Sequence, residues 1–182
     1  MTRMMIILLL FGSVVYGALP ELTDIHGKAL PGPDAAKATV IYFITHDCPI
    51  SNQYAPEIGR ICKEYGERGV QCYLAYVDPD LSIEGIEQHR KDYSHQSAAI
   101  LDVAHEIVKA VGATVTPEAA VLDSKGEVAY LGRINNFYAA LGKPRRFVTQ
   151  HDLRGALDTV LAGKPVENPR TQAIGCYVPT LR

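Results

Sequence analysis

The sequence has no tryptophan and only four cysteines in 182 residues, and no two of the cysteines form a C-x-x-C motif. Their spacing fits no zinc-binding pattern, and four cysteines are too few for a fold of this length that depends on disulfides. A phosphate-binding loop, a nucleotide fingerprint and a Ser-His-Asp order are also missing, so we expect no cofactor and no metal. The net charge of −2 gives no reason to expect a nucleic acid as a partner.

The first 17 residues differ in character from the rest of the chain. Arg3 is followed by an uninterrupted apolar run at 4–11, and small residues lead up to Gly17. This order is typical of a secretory signal peptide cleaved after Gly17, and the run is shorter than the about 20 residues that span a bilayer. We therefore predict a signal peptide at 1–17 and export to the periplasm or the extracellular space. The alternatives are an uncleaved signal segment and a buried first helix. We expect a membrane contact only if the signal segment stays uncleaved.

Residues 18–37 are rich in glycine and proline and form a lead-in segment. Two continuous apolar runs, at 38–45 and 70–77, predict strands that are buried on both faces. The other predicted elements are helices at 51–66, 82–93, 104–111 and 150–162, a short strand at 100–102, and a hairpin of 118–122 with 127–131. Buried strands joined by helices indicate a parallel core, to which the hairpin adds antiparallel strands. We therefore predict an α/β fold, a three-layer sandwich with a mixed central sheet at 38–162, and a C-terminal tail at 163–182.

Cys48 lies in the predicted turn between the first buried strand and the first long helix. A thiolate at this place is stabilised by the unpaired N–H groups and by the dipole of the helix N-terminus. Pro49 suits the first helical position, where a backbone N–H has no partner. The sequence therefore predicts Cys48 as the acidic, reactive thiol, with an inert buried cysteine as the alternative.

Two motifs resemble the redoxin branch of the thioredoxin superfamily. One is the segment from Thr45 to Asn52, which contains Cys48 and Pro49, and the other is Thr116-Pro117 before the hairpin. The resemblance implies a thioredoxin-like fold and an enzyme that exchanges disulfides with a protein or small-molecule thiol, or that reduces a peroxide as an antioxidant. It also implies that Pro117 is a cis-proline beside the reactive cysteine and that Thr116 contacts the backbone of a substrate.

Three positions depart from the patterns of the relatives. Ser51 stands where a thioredoxin has the second cysteine of C-x-x-C, and it either donates a hydrogen bond to the Cys48 thiolate or caps the helix. Thr45 matches the T-x-x-C of peroxiredoxins, but Ile41 replaces their proline. Asn52 replaces a metal ligand of the copper-chaperone relatives. A non-catalytic module that binds a protein partner or a metal therefore stays open beside the enzyme.

The predicted hairpin brings a cation toward the reactive thiol. If Leu122 pairs with Glu127, Pro117 lies opposite Gly132, and the strand delivers Arg133 to the edge of the sheet that carries the thiol. Arg133 is then the best candidate to stabilise the thiolate or an anionic group of the substrate. A solvated surface arginine is the alternative.

Cys176 is the candidate for the resolving cysteine that Ser51 cannot replace. From Gly163 to Cys176 an extended chain covers about 43 Å at about 3.3 Å per residue, so the tail is long enough to return to the thiol. Gly175 permits a close backbone approach. A tail that is docked by Cys176, or a free Cys176, is the alternative. The predicted catalytic residues are thus Cys48 and Cys176, and the predicted substrate-binding residues are Thr45, Ser51, Thr116, Pro117 and Arg133. Whether Cys62 and Cys72 pair or stay free is open.

Overall fold

The computed structural model describes residues 19–181, so the predicted signal peptide at 1–17 lies outside the described residues. The lead-in segment contains a short 3-10 turn at Pro33–Ala35 and an isolated bridge between Thr23 and Ala29. Within residues 19–181, no helix has the length and apolar character needed to cross a membrane. The domain boundaries stay predictions.

The predicted strands and helices are present, with ends that differ by a few residues. In chain order the elements are β1 (Ala38–Ile44), α1 (Pro49–Gly66), β2 (Val70–Tyr76), α2 (Ile83–Asp92), β3 (Ala98–Leu101), α3 (Glu106–Val111), β4 (Val115–Thr116), β5 (Glu118–Asp123), β6 (Val128–Gly132), β7 (Tyr138–Ala140), β8 (Lys143–Pro144), α4 (Asp152–Leu161) and β9 (Cys176–Tyr177). Four of the short strands, β4, β7, β8 and β9, were not predicted, because two or three residues carry no readable periodicity.

The central sheet has the strand order β3-β2-β1-β5-β6. Strands β1, β2 and β3 are parallel, whereas β5 and β6 are antiparallel to their neighbours. Strand β1 is buried along its whole length, with Val40 and Tyr42 in the core cluster that contains α1 and α4, and Ile41 and Phe43 in the cluster that contains α3. The predicted three-layer α/β sandwich with a mixed sheet is confirmed.

The register of the β5–β6 hairpin differs from the prediction. Ala119, and not Pro117, lies opposite Gly132, because Leu122 pairs with Val128 rather than with Glu127 and a β-bulge between Val121 and Leu122 shifts the pairing by one further residue. A bulge inserts an extra residue into one strand and displaces every later pair. The prediction that Pro117 faces Gly132 is therefore wrong, although the chain after β6 still reaches a recess beside Pro117.

Backbone hydrogen bonds hold the C-terminal tail against β6 and β4. The Leu131 N–H donates to the Pro169 carbonyl at 2.9 Å, and the Thr171 N–H donates to the Leu131 carbonyl at 3.2 Å. Further on, β9 pairs with β4 in antiparallel register, which places Cys176 opposite Thr116. The tail thereby returns to the end of the sheet from which α1 begins.

Candidate dithiol active site

Cys48 is the N-cap residue of α1, and its sulfur takes part in two contacts. Cys48 Sγ accepts a hydrogen bond from the Ser51 N–H at 3.5 Å and donates one to the Thr116 carbonyl at 3.3 Å. Pro49 occupies the first helical position, as the sequence predicts. Because Cys48 is only 1% exposed, a substrate reaches its sulfur only after something above it moves.

A chain of hydrogen bonds holds the loop before Cys48. The Asp78 carboxylate accepts from the His46 N–H at 3.1 Å and pairs with the His46 ring at 3.2 Å. The Asn52 amide donates to the His46 carbonyl at 2.9 Å and contacts His89 Nε2 at 2.8 Å, while His89 Nδ1 contacts the Tyr76 hydroxyl at 2.8 Å. These bonds fix the loop to β2 and α2, so the position of the thiol does not depend on α1 alone.

The Thr116–Pro117 peptide bond is cis, in agreement with the resemblance. Thr116 contacts the Cys48 sulfur through its carbonyl group. The hydroxyl group of Thr45 lies 3.3 Å from that of Thr116. The resemblance implies that Thr116 contacts a substrate backbone. In the structure that backbone position pairs with the chain's own Cys176, and the Thr116 hydroxyl donates to the Cys176 carbonyl at 3.5 Å.

Gly175 allows β9 to lie against the cis-proline loop. A Cβ atom at this position would lie 2.1 Å from the Thr116 carbonyl oxygen and 2.7 Å from the Thr116 carbonyl carbon. Real Cβ atoms essentially never come closer than 3.0 Å to such atoms. The close approach brings the Cys176 thiol near enough to Cys48 to affect its pKa, and both sulfurs are free thiols.

The two thiols have opposite acid–base behaviour. Burial raises the pKa of Cys48, but hydrogen bonds from the Cys176 thiol and from Ser51 outweigh it and leave that pKa below its ordinary value. Burial and the neighbouring Cys48 raise the pKa of Cys176 to about 12. Cys48 is therefore the member of the pair that loses its proton first as the pH rises, and Cys176 is the one that keeps its proton.

Arg133 forms an ion pair with Asp152. Its guanidinium donates to both carboxylate oxygens of Asp152, at 2.8 and 3.0 Å, and to the Gln150 amide oxygen at 2.7 Å. This pairing holds the pKa of Arg133 above its ordinary value. The role predicted for Arg133, as a cation for the thiolate or for a substrate, stays a prediction, but its charge is already matched by a carboxylate.

The Arg133 ion pair allows the effect of Arg133→Met to be predicted. Because Asp152 neutralises the guanidinium, we expect Arg133→Met to leave the pKa of Cys48 unchanged. The variant should lower the free energy of unfolding by about 1 kcal/mol, since Asp152 loses its partner. Titration of the Cys48 thiol and thermal unfolding measure the two effects, with Arg133→Lys as the conservative control. A rise in the pKa of Cys48 in the Met variant would restore the role that the sequence suggested.

Sequence reasoning missed the tyrosines beside the site. Tyr54 and Tyr138 line a narrow recess together with Pro117 and Ile174 of the tail. The charge of Cys48 contributes to a raised pKa of Tyr138, after burial, which places that ring near the sulfur. The helical periodicity assigns Tyr54 to the core and gives no sign that its hydroxyl end reaches this recess.

One group of side chains beside the site has the geometry of metal ligands. Among the described residues, His46, Asp47 and Asp78 each offer a ligand atom, and these atoms lie within 4.8 Å of one another. His46 and Asp78 already satisfy each other by a hydrogen bond. We therefore make no metal assignment, and the sequence-based expectation of no metal stays a prediction.

The geometry can be compared with known proteins. Residues 20–131 match the sequence profile of the AhpC/TSA family. The chain belongs to this family. The resemblance to redoxins of the thioredoxin superfamily is thereby confirmed. A search of curated protein sequences found no match.

Solved structures share the fold of this AhpC/TSA protein. An uncharacterised conserved protein from Geobacillus kaustophilus is 24% identical, with a TM-score of 0.78 over 91% of this chain and 92% of its own. A hypothetical protein from Sinorhizobium meliloti is 23% identical, with a TM-score of 0.74 over 92% of this chain and 95% of its own. A secreted disulfide oxidoreductase from Mycobacterium tuberculosis, homologous to E. coli DsbE, is 15% identical, with a TM-score of 0.54 over 75% of this chain and 92% of its own. These likenesses show a thioredoxin-like fold of the kind found in thiol–disulfide oxidoreductases.

Proposed function

We propose that the protein is an exported thiol–disulfide oxidoreductase whose working pair is Cys48 and Cys176. The observation that carries the proposal is the contact between a thiol of lowered pKa at a helix N-terminus and a second, protonated thiol on the tail. A pair of this kind replaces the C-x-x-C motif that the sequence lacks. The pair takes up or releases two electrons, and the potential of the partner sets the direction.

The first half of the reaction uses Cys48 alone. Its thiolate attacks one sulfur of a substrate disulfide, and the other substrate sulfur leaves as a thiolate. The product is a mixed disulfide between Cys48 and the substrate. The N–H of Ser51 and the helix N-terminus stabilise the attacking thiolate, so the site raises its population at neutral pH.

The second half depends on Cys176, which must first lose its proton. Once Cys48 is in a mixed disulfide it carries no charge, so one of the causes that raise the pKa of Cys176 disappears. Cys176 then loses its proton and attacks Cys48 Sγ, which releases the second substrate thiolate and forms the Cys48–Cys176 disulfide. The substrate gains two electrons and the protein loses two.

Strand β9 occupies the backbone position that a protein substrate takes in relatives of this fold. The two-residue β4–β9 ladder must open for an extended substrate segment to pair with Thr116, and the same movement uncovers Cys48. A short ladder opens at low cost compared with the central sheet. The tail therefore acts both as the carrier of Cys176 and as the competitor of the substrate.

Export is supported by the order of residues 1–17, which is that of a signal peptide. The Mycobacterium tuberculosis protein that shares the fold is described as secreted. Disulfide chemistry of this kind persists outside the cytosol.

A peroxidase is the second candidate, favoured by Thr45, which completes T-x-x-C and contacts Thr116. In that reaction the Cys48 thiolate attacks a peroxide oxygen to give a sulfenic acid and an alcohol or water. Cys176 then condenses with the sulfenic acid and releases water. The ion-paired Arg133 weighs against this candidate, because no free cation is left in its place to bind the peroxide.

The proposed function is tested by mapping the disulfide that forms during turnover. Reduced protein is mixed with glutathione disulfide or with hydrogen peroxide, the free thiols are alkylated, and the peptides are identified by mass. We expect glutathione disulfide to give a Cys48–Cys176 link. A faster reaction with peroxide would favour the peroxidase, and an unreacted Cys48 with both reagents would favour a non-catalytic binding module.

The pH dependence of Cys48 alkylation gives an independent prediction. The rate follows the thiolate, so it rises with pH and levels off above the pKa. Because hydrogen bonds lower the pKa of Cys48, we expect the inflection at a lower pH than the about 8.5 of a free cysteine. Cys176→Ala removes a donor and should shift the inflection to higher pH, whereas Cys176→Ser keeps a hydroxyl donor and should shift it less. The reaction is followed on the peptide that contains Cys48, and an inflection that ignores both variants would contradict the assignment.

A further inference from the structure

We propose that Cys62 and Cys72 are a second redox-active dithiol, which closes a disulfide between α1 and β2 when the protein meets a small-molecule disulfide. Cys62 lies on α1 and Cys72 on β2, and both pack against the same core cluster. The two thiols are free and interact with one another. The pair is separate from the first site, because Cys62 lies roughly 21 Å along the helix axis from Cys48 at about 1.5 Å per residue.

The surroundings of Cys62 favour it as the attacking sulfur. The Tyr42 hydroxyl is fully buried, has no hydrogen-bond partner of ordinary geometry among the described residues, and interacts with both sulfurs. A buried hydroxyl without a partner is costly, and a thiolate beside it supplies the acceptor that it lacks. The Cys72 thiol, and then the hydroxyls of Ser97 and Tyr42, lower the pKa of Cys62 against the effect of burial.

Accessibility distinguishes this pair from the first site. Cys62 and Cys72 each keep partial exposure, whereas Cys48 is sealed under the tail. Both also lie on long regular elements, and no tail movement is needed to bring them together. We therefore expect a small disulfide to react with Cys62 without any movement of the tail.

The proposed step balances with glutathione disulfide as the oxidant. The Cys62 thiolate attacks one glutathione sulfur, which forms a mixed disulfide and releases one glutathione thiolate. Cys72 then loses its proton and attacks Cys62 Sγ, which forms the Cys62–Cys72 bond and releases the second glutathione. The protein loses two electrons and the oxidant gains two.

The expected consequence of the bond is a more stable domain. The link joins the C-terminal half of α1 to β2 across the turn that contains Gly69, so it restricts the unfolded chain. We expect the midpoint of thermal unfolding to rise by about 5–10 °C on oxidation, as for a disulfide of moderate loop length in a domain of this size.

The experiment isolates the pair in the full chain. In the double variant Cys48→Ser and Cys176→Ser, Cys62 and Cys72 are the two thiols that remain. The reduced variant is treated with glutathione disulfide, alkylated and mapped by mass. We expect no free thiol, one Cys62–Cys72 peptide pair and the rise in the midpoint, all reversed by a reductant. The same link should appear in the unsubstituted chain beside any Cys48–Cys176 bond.

A third substitution supplies the matched control. With Cys72→Ser added, Cys62 should take up a single glutathione and the midpoint should not rise; Cys72→Ala serves if the Ser variant does not fold. Two free thiols after treatment, or two separate glutathione adducts without a link, would overturn the proposal. The result is independent of the proposed function, because neither Cys48 nor Cys176 takes part.

Discussion

Replacing Cys48 by serine is expected to abolish disulfide exchange while the domain stays folded. A serine hydroxyl is not ionised at neutral pH and cannot form the mixed disulfide, so in a chain that also carries Cys62→Ser and Cys72→Ser, turnover with glutathione disulfide should fall by at least about 1,000-fold. The chain with Cys62→Ser and Cys72→Ser alone is the matched control, since both of those sulfurs lie outside the proposed site, and it should keep the exchange at Cys48. Turnover that survives Cys48→Ser would exclude Cys48 as the nucleophile.

The fold should tolerate the serine for a reason that the structure supplies. Cys48 is buried and belongs to the core cluster, although it lies in a turn. A serine can still act as the N-cap of α1, where it is preferred, and its hydroxyl can donate to the Thr116 carbonyl as the thiol does. We therefore expect a loss of no more than about 1–2 kcal/mol in the free energy of unfolding.

Cys176→Ser separates the two halves of the reaction. The first half should proceed, since Cys48 is intact, but no second sulfur is available to release the substrate. The mixed disulfide at Cys48 should therefore accumulate and be visible by mass as one retained substrate molecule. If substrate is released as fast as in the unsubstituted protein, another thiol resolves Cys48.

The sequence predicted those elements whose own residue pattern determines their secondary structure. The buried runs that became β1 and β2 are continuous and rich in β-branched residues, and α1 shows helical spacing over five turns. Cys48 at the strand–helix turn and the proline after it follow from the same local rules. This is why the fold class could be predicted without a structure, and why the same local rules single out Cys48 as the candidate reactive cysteine.

Features that depend on two distant segments could not be predicted with the same success. The bulge between Val121 and Leu122 moved the hairpin register, because a pattern of alternating residues does not reveal where one residue is extra. The ion pair of Arg133 with Asp152 joins residues far apart in sequence, so composition gave no sign that the charge is matched. Strand β9 has only two residues and is a strand only because it pairs with β4, so its own sequence does not predict it.

The sequence shows that the tail is long enough to return to Cys48, and the structure shows the contacts that hold it there. Reach alone allowed Cys176 to return to Cys48, with Gly175 as the residue that permits close approach. The structure adds a second glycine with the same role, since a Cβ at Gly132 would lie 2.2 Å from Thr171 Oγ1 and 2.4 Å from the Thr171 carbonyl oxygen. At both Gly132 and Gly175 the tail and the domain thus approach each other too closely for a side chain.

Gly175→Ala is therefore expected to detach β9 from the site. The new Cβ would meet the carbonyl group of Thr116, whose backbone is held by the cis-proline loop and by Cys48. Overpacking of this kind costs about 2 kcal/mol, which would favour the open tail by about 30-fold over its present population. Gly155→Ala is the matched control, because a Cβ there meets nothing within 4 Å.

Three measurements should change together in Gly175→Ala. With the tail open, Cys48 loses its cover and the Cys176 donor, so its pKa should rise toward the ordinary value. Alkylation of Cys48 should nevertheless be at least about tenfold faster when measured at alkaline pH, where the thiolate is fully formed in both proteins. The Cys48–Cys176 disulfide should form poorly, and the mixed disulfide should accumulate as it does in Cys176→Ser.

The combination of results decides what the tail does. Faster alkylation with slower resolution means that β9 both covers Cys48 and delivers Cys176, as the β4–β9 ladder indicates. Gly132→Ala, which disturbs the tail at Thr171 rather than beside the thiols, should give the same two changes through the loosened tail. If neither glycine variant alters the alkylation rate or the yield of the disulfide, the tail does not control access, and resolution of Cys48 must come from a thiol outside the chain.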